Sequence, residues 1–321
     1  MTEDFEPAAV TTRSGVRESV HAAAVVVLGA DGAVELAVGN PDVAVYPRSA
    51  MKPLQAAGMI ASGLQMPDPW IALACASHAG QPIHVDGVRE MLASIGVDER
   101  ALGNSPSLPL DPAAAEAVLR EGGGPSAIRM NCSGKHAAML ATCAANGWPT
   151  DGYLDPMHPL QWAITEYLPV LAGEGASHIG IDGCGAPAHV LGLAAVARAF
   201  RAIASGGAPE VYRAMTSYPA LVGGPGRDVT VLMEAIPGLV AKDGAEGVYA
   251  AAMPDGRAVA VKVADGAARA RVPLLLAALA AAGVAVSAVP PDTARVAVLG
   301  HGRTVGEVHP IGPLAAWWTA G

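Results

Sequence analysis

The sequence is poor in the features that mark several classes of protein. Charged residues make up only 15% of the 321 residues while 52% are hydrophobic, which excludes a disordered chain and favours a compact globular protein. Its basic residues form no run and its formal net charge is −9, which argues against nucleic acid or an anionic membrane as a partner. Four cysteines are too few for a disulfide framework in a chain this long, so we expect a reducing cytoplasm.

Long apolar segments are also scarce. The longest, residues 272–289, is interrupted by proline, glycine and serine, and it predicts a buried helix over 273–282 followed by a strand from Val284 instead of a membrane span. Residues 1–18 lack the basic-then-apolar order of a signal peptide, and we expect them to form a flexible N-terminal segment. Residues 19–321 are then expected to form a single domain.

Hydrophobic patterning places strands near both ends of the chain and helices in its middle, from about residue 83 to 245. The predicted strands are 19–28, 34–38, 247–253, 258–263, 295–299 and 304–308. The predicted helices are 49–64, 83–95, 112–121, 135–146, 159–171, 188–204 and 210–217. Terminal strands around a helical insert predict an antiparallel sheet formed by both ends with helices on both faces, an α/β (α+β) fold.

A serine and a lysine three residues apart stand at the predicted start of the helix over 49–64. Ser49 and Lys52 would share one face of this helix, so that the amine could reach the hydroxyl, as in active-site-serine amidohydrolases of the penicillin-binding type. An N-cap serine followed by a surface lysine is the alternative. Pro47 and Pro53 on either side fix the entry into the helix and favour the functional interpretation.

Two further segments carry reactive side chains. Ser77 and His78 follow an apolar run in a loop of small residues, where catalytic groups are common, although a turn with a surface histidine fits equally well. Lys262 interrupts the alternating strand 258–263. It either faces solvent or matches the strand lysine that faces the serine in Ser-x-x-Lys enzymes. Together with the strand pattern, these residues fit a serine β-lactamase/penicillin-binding architecture.

Two cysteines lie in turn-forming segments near other donors. Cys132 is close to Lys135 in the sequence, and Cys184 is close to Asp182. Two thiolates and a carboxylate would suit zinc, and His78 and His136 are the alternative donors. A disulfide and a pair of inert buried thiols are the alternatives. Without paired Cys-x-x-Cys motifs, spacing alone does not favour the metal.

Seven segments, in this order, resemble the asparaginase II family, the rhizobial-type L-asparaginases. The resemblance covers roughly residues 20 to 310. The segments are 46–56 (YPRSAMKPLQA), 76–80 (ASHAG), 130–136 (MNCSGKH), 158–161 (HPLQ), 180–185 (GIDGCG), 223–227 (GGPGR) and 245–249 (AEGVY).

The resemblance implies hydrolysis of L-asparagine to L-aspartate and ammonia by a homodimer with a serine β-lactamase-like fold. It implies two catalytic Ser–Lys pairs in one pocket, Ser49 with Lys52 and Ser77 with Lys262. It also implies a zinc ion, structural or substrate-anchoring, that is held by Cys132, Lys135, Asp182 and Cys184. The candidate substrate contacts are Arg48, His78, Gly134, His136 and Arg227.

The implied reaction starts with Lys52, which as a neutral amine takes the proton of Ser49 while the serine oxygen attacks the side-chain amide carbon. Ser77 and Lys262 would relay a proton to the leaving ammonia. The sequence departs from the family pattern at Gln81, where an acidic residue is common, and at Asp228, which stands one residue early. Both departures bear on substrate selectivity.

Three alternatives share these residues. A β-lactamase or peptidase would also use Ser-x-x-Lys, but no Lys-Thr-Gly motif occurs at Lys262. A glutaminase would differ only in the length of the substrate side chain. A catalytically inactive amino-acid-binding protein would keep the pocket and lose the reaction.

Overall fold

A computed structural model describes residues 4–318 of the chain. The chain folds into two compact units, each built from separated segments. The sheet unit comprises the chain up to Ala50, Val190–Gly207, and the chain from Val231 onward. The helical unit comprises Met51–His189 and Ala208–Thr230.

The secondary structure follows the predicted distribution, with most strands towards the ends of the chain. The strands are β1 (Glu6–Arg13), β2 (Val16–Leu28), β3 (Val34–Val38), β4 (Ala44–Val45), β5 (His178–Ile181), β6 (Pro187–Gly192), β7 (Val240–Asp243), β8 (Val248–Ala252), β9 (Ala258–Val263), β10 (Val296–Gly300) and β11 (Arg303–Pro310). The helices are α1 (Lys52–Ala61), α2 (Asp68–Ala74), α3 (Pro82–Ser94), α4 (Pro112–Arg120), α5 (Ser133–Asn146), α6 (Pro159–Ala172), α7 (Leu193–Ala202), α8 (Pro209–Ser217), α9 (Pro219–Val222), α10 (Asp228–Ala235), α11 (Arg271–Ala281) and α12 (Pro291–Ala294).

The sheet unit is built on an antiparallel sheet that both ends of the chain form together, as predicted. Its strand order is β10-β11-β1-β2-β9-β8-β7, and β3 pairs with the end of β2 that β1 leaves unpaired. Successive side chains in a strand point to opposite faces, and every residue of Ala23–Leu28 is buried, so both faces of β2 are covered. Helices α7 and α11 pack against β2, β8 and β9.

The N-terminal segment differs from the prediction. Instead of a flexible segment over residues 1–18, Glu6–Arg13 forms β1, which is hydrogen-bonded between β2 and β11. This segment is ordered because Ala8, Ala9 and Val10 bury their side chains completely or almost completely. Residues 16–18 begin β2, and residues 1–3 of the predicted segment lie outside the described residues.

Two predicted elements near the chain's later half are wrong. The helix expected over 188–204 starts only at Leu193, because Pro187–Gly192 forms β6, whose end pairs with β4. A run of small apolar residues is compatible with a short buried strand as well as with a helix. The strand expected from Val284 is not formed, since turns follow α11 there.

The helical unit packs its helices through close backbone approaches. Gly58 lets α1 approach α6, where a Cβ atom on this glycine would lie 3.2 Å from the Cα of Ile164. Gly134 lets α5 approach α2 even more closely. No helix within residues 4–318 is both long and apolar enough to cross a membrane.

Candidate active site

The Ser-x-x-Lys segment begins in a short 3-10 helix, Arg48–Met51, and the helical backbone continues into α1 at Lys52. The turn is opened by Arg48 in a left-handed conformation, with a φ of +54°. The Ala50 N–H donates to the Pro47 carbonyl at 3.1 Å and closes it. A left-handed arginine costs free energy, and such outliers concentrate at functional sites. Arg48 and Ser49 belong to the sheet unit.

Lys52 is almost completely buried in the helical unit, with 1% of its surface exposed. Its Nζ donates to the Ala76 carbonyl at 2.6 Å and to the Ser77 Oγ at 3.1 Å. This brings together two of the four predicted catalytic residues, in a combination that the sequence did not pair. The predicted partnerships of Lys52 with Ser49 and of Ser77 with Lys262 stay predictions.

Ser77 is fixed by its backbone on both sides. It follows α2, its N–H donates to the Val222 carbonyl at 3.0 Å, and its own carbonyl accepts from Arg227 Nη1 at 3.2 Å. The glycine-rich segment 223–227 packs directly against this loop, since a Cβ on Gly224 would lie 2.5 Å from the Cβ of Ala79. Arg227, predicted to contact substrate, therefore also holds Ser77 in place.

His78 is fully buried and its tautomer follows from its partners. Nδ1 accepts from the Gly80 N–H at 3.1 Å, so the ring proton is on Nε2, which donates to Ser133 Oγ at 2.8 Å. Burial, His84 and the charge of Lys52 hold the pKa of His78 well below its usual range. His78 is thus a neutral donor that orients Ser133. Ser133 was not among the predicted site residues, and the one signal for it in the sequence is its place between Cys132 and Lys135.

The thiols of Cys132 and Cys184 lie together in the helical unit. All four cysteines are free and buried, which excludes the alternative of a disulfide. Lys135 Nζ donates to Cys184 Sγ at 3.2 Å. A hydrogen bond with Cys184 lowers the pKa of Cys132 far below its usual value, with help from the charges of Lys52 and Lys135 and against burial.

The same hydrogen bond with Cys132, together with burial, raises the pKa of Cys184. For Lys135, burial lowers the pKa of the amine, but the Cys184 and Cys132 sulfurs outweigh burial and raise it overall. Asp182 also acts on Lys135, and its carboxylate accepts the Gly183 N–H at 2.7 Å.

Three of the four predicted zinc ligands therefore lie close together, namely Cys132, Lys135 and Cys184. The fourth, Asp182, lies on the adjoining loop. Within the described part of the chain, no group of three or more His, Cys, Asp and Glu side chains is placed to hold a metal ion. Any metal site here depends on the amine of Lys135.

Two predicted substrate contacts lie in the interior of the helical unit. A Cβ on Gly134 would lie 2.3 Å from the Leu73 carbonyl oxygen, so this glycine is required for packing. His136 is fully buried, and its Nδ1 lies 2.8 Å from the Tyr153 hydroxyl. Their roles as substrate contacts stay predictions.

Lys262 lies on β9 in the sheet unit, opposite Ala24 of β2. Its Nζ donates to the Glu246 carbonyl and, at 2.9 Å, to the Val263 carbonyl. Burial lowers the pKa of the Lys262 amine, which is partly offset by Glu246 and Asp265. The two departures from the family pattern both stand at helix starts, with Gln81 immediately before α3 and Asp228 as the first residue of α10.

Two solved structures are similar to this chain at low sequence identity. A protein from Bacteroides dorei, named as a putative beta-lactamase, is 17% identical, with 75% of this chain and 84% of that chain covered and a TM-score of 0.42. A beta-lactamase from Mycobacterium bovis is 17% identical, with 81% and 93% covered and a TM-score of 0.38. A comparison with curated proteins finds no match.

The comparison with family models covers a larger part of the chain than either solved structure does. The family model described as L-asparaginase II matches residues 9–310, which is most of the chain and contains every predicted site residue. This match confirms the resemblance that the seven segments indicated. The chain belongs to the L-asparaginase II family.

Proposed function

We propose that the protein is an L-asparaginase, which hydrolyses L-asparagine to L-aspartate and ammonia through an acyl-serine intermediate. The observation that carries the proposal is the contact between the Lys52 amine and the Ser77 hydroxyl at 3.1 Å, in a chain of the L-asparaginase II family. A buried amine that touches a serine hydroxyl is an arrangement of base and hydroxyl that nucleophilic catalysis uses.

In the first step, Lys52 in its neutral form accepts the proton of Ser49 as Ser49 Oγ attacks the side-chain amide carbon of asparagine. Ser49 lies in the 3-10 helix that leads into α1, and residues three apart in a helix share a face, which supports this pairing. Backbone N–H groups at the start of this helical segment would stabilise the oxyanion.

In the second step, the C–N bond breaks and the leaving nitrogen takes a proton. The hydrogen bond between Lys52 Nζ and Ser77 Oγ offers the path, since the proton taken from Ser49 can pass through the Ser77 hydroxyl to the leaving group. Lys262 is proposed to support Ser77 in this transfer. Water then cleaves the ester by the reverse sequence of proton transfers and releases L-aspartate.

We also propose that Cys132, Lys135 and Cys184, with Asp182, hold a zinc ion. The donor set fits the ion, because two thiols and an amine meet in a buried place without a disulfide. Bound there, zinc would supply positive charge that orders the thiolates and anchors the charged end of the amino acid. Lys135 would have to bind as a neutral amine.

The assembly and location complete the proposal. We propose a homodimer in the cytoplasm, and both assignments rest on the sequence and the family resemblance. Size-exclusion chromatography with light scattering tests the homodimer, and an apparent mass near 32.2 kDa would contradict it.

Ammonia release with L-asparagine, L-glutamine and no substrate tests the function, with nitrocefin as the probe for β-lactamase activity. We expect turnover of L-asparagine, and a loss of about 10²- to 10⁴-fold in Lys52→Met, because proton transfer by a positioned side chain contributes that much. Ser49→Ala and Ser77→Ala should lose comparable activity, while Ser62→Ala, at the end of α1, serves as the matched control.

Mass spectrometry of the quenched reaction identifies which serine carries the acyl group. Ammonia release at the wild-type rate in Lys52→Met would remove the proposed base. Absence of turnover with L-asparagine alongside hydrolysis of nitrocefin would replace the asparaginase by the β-lactamase alternative.

A further inference from the structure

The hairpin loop between β7 and β8, residues 244–247, contacts two segments that carry predicted catalytic residues. The Gly244 N–H donates to the Val248 carbonyl at 2.9 Å and closes the hairpin. The loop and the segments that it contacts all belong to the sheet unit. Most of the loop lies in the family-like segment 245–249, to which the sequence assigns no role. Its contacts give it one.

The first contact is with the turn that carries Ser49, residues 47–50. A Cβ atom on Gly244 would lie 2.4 Å from the Pro47 carbonyl oxygen, so the loop backbone lies directly against this carbonyl. The same oxygen accepts the Ala50 N–H at 3.1 Å, and this hydrogen bond closes the Ser49 turn. A shift of the hairpin loop therefore displaces the carbonyl on which the turn is closed.

The second contact is with Lys262 on β9. Lys262 Nζ donates to the Glu246 carbonyl, and Glu246 has a left-handed backbone with a φ of +57°, which costs free energy for a residue with a side chain. The Val263 N–H donates to the Gly247 carbonyl at 2.9 Å and fastens the end of the loop to β9. The hairpin loop thus contacts the Ser49 turn at one end and the Lys262 amine at the other.

Arg271, the first residue of α11, holds the hairpin loop from the helix side. Its Nη1 donates to the Gly244 carbonyl at 2.7 Å. Its Cζ lies 5.6 Å from the centroid of the Tyr249 ring, which is completely buried, so the guanidinium is also fixed by a cation–π contact. A hydrogen bond from a charged donor is stronger than a neutral one. Arg271 therefore ties α11 to the residue that touches the Ser49 turn.

We propose that the hairpin loop positions both the Ser49 turn and the Lys262 amine, and that Arg271 is the positioning residue that fixes the loop. Arg271 acts through the Gly244 backbone and contacts no reacting atom. The inference rests on the proposed function in that Ser49 and Lys262 are taken as catalytic. Precise placement matters there, because a displacement of about 1 Å can cost about 10²-fold in rate.

Arg271→Met removes the guanidinium and keeps a side chain of similar length. We expect kcat for L-asparagine to fall about 10- to 100-fold per folded molecule, and KM to change less than kcat, because the loss is one of placement. Arg257→Met is the matched control, since Arg257 Nη1 also donates to a backbone carbonyl of the sheet unit, that of Ala282 at 3.1 Å. A kcat equal to that of the control would overturn the proposal.

Amide hydrogen exchange of Ala50, measured by NMR on the full chain, reports the Ser49 turn without any turnover. We expect exchange roughly tenfold faster in Arg271→Met than in Arg257→Met, because loss of a charge-assisted hydrogen bond favours local opening. Equal exchange rates in the two variants would overturn the proposal. If the wild type releases no ammonia from L-asparagine, the proposed function fails, and the Ala50 exchange rate still decides whether Arg271 fixes the turn.

Gly244→Ala tests the same contact with Arg271 in place, and decides the matter if Arg271→Met does not fold. The added Cβ displaces the Pro47 carbonyl, so we expect faster exchange at Ala50 together with a lower kcat. Gly124→Ala is the matched control, because nothing lies within 4 Å of its Cβ position. Wild-type exchange at Ala50 and wild-type kcat in Gly244→Ala would show that the hairpin loop does not position the turn.

Discussion

The interiors of the two units differ in kind. In the sheet unit, the buried polar residues in the described part of the chain are Thr11, His21, Lys242 and Asp243. In the helical unit they are Lys52, Gln55, Ser77, His78, His84, Asn104, Ser133, Lys135, His136, Thr142, His158, Gln161, His189 and Thr230. Burial of a polar group costs free energy unless it is hydrogen-bonded, so the interior of the helical unit depends on hydrogen bonds more than the apolar interior of the sheet unit does.

The difference between the two interiors indicates in which unit buried lysines contact reactive side chains. Each unit buries lysine, but among the described residues only the helical unit directs buried lysine side chains at a reactive group, Lys52 at a serine and Lys135 at a thiol. In the sheet unit, Lys242 instead forms an ion pair with its neighbour Asp243. Buried polarity in the helical unit is therefore expected to control activity, and in the sheet unit to control stability.

Lys242→Met tests the sheet side of this comparison and should have the largest effect on stability. It leaves the Asp243 carboxylate buried without the amine that it pairs with, and breaking a buried pair in this way costs about 3–5 kcal/mol. We expect a lower midpoint in urea unfolding with near-wild-type ammonia release per folded molecule.

The double variant Lys242→Met/Asp243→Leu should recover much of that stability, because apolar replacement of a whole buried pair is often neutral. More than a tenfold loss of turnover in the folded single variant would contradict the expectation that buried polar groups of the sheet unit control stability and not activity.

Gly134→Ala tests the helical side with an intermediate effect. The added Cβ would lie 2.3 Å from the Leu73 carbonyl oxygen, so α5 and α2 must move apart at a cost of about 1–3 kcal/mol. Gly124→Ala is the matched control, since nothing lies within 4 Å of its Cβ position. Thermal unfolding should show a lower midpoint for the first variant only. An unchanged midpoint in Gly134→Ala would contradict the packing account.

The effect of pH is expected to be the most gradual of the three. Burial, followed by the charge of Lys135, lowers the pKa of His189 to about 4, whereas the unfolded chain keeps the ordinary value near 6.5. Between these values the unfolded chain binds more protons, so the free energy of unfolding decreases as the pH falls from about 6.5 towards 4, by at most about 1.4 kcal/mol per pH unit. Above pH 6.5 the contribution of His189 is constant.

Thermal midpoints across this pH range should fall less steeply in His189→Asn than in the wild type, because asparagine does not titrate. His301→Asn, at an exposed turn with a positive φ that asparagine accepts, controls for the loss of a histidine. A slope in His189→Asn equal to that of the control would remove His189 as the source.

Sequence patterning predicted the hairpins of the sheet better than the strands of mixed or helix-like composition. The hairpin of β2 and β3 and the pair of β8 and β9 were recovered because apolar strands rich in valine or alanine flank clear Asp-Gly turns. Strand β1 was missed because its eight residues mix charged, polar and apolar side chains. Strand β6 was absorbed into a predicted helix, since periodicity does not separate a short buried strand from the start of an apolar helix.

The candidate site was also predicted only in part from the sequence. The motifs named the residues, but the contact between Lys52 and Ser77 joins segments 25 positions apart, and no local pattern encodes which serine meets which lysine. Ser133 was missed because it acts through a histidine in the fold. Its role depends on hydrogen-bond direction, which requires coordinates.

The position of β1 between β2 and β11 has a consequence for how the chain is made. Strand β1 is synthesised well before one of its two neighbours, which spans Arg303–Pro310. Until then one edge of β1 stays open, and an open edge can pair with other chains. Shortening the chain before residue 303 should therefore produce aggregates, even though every predicted catalytic residue would still be present.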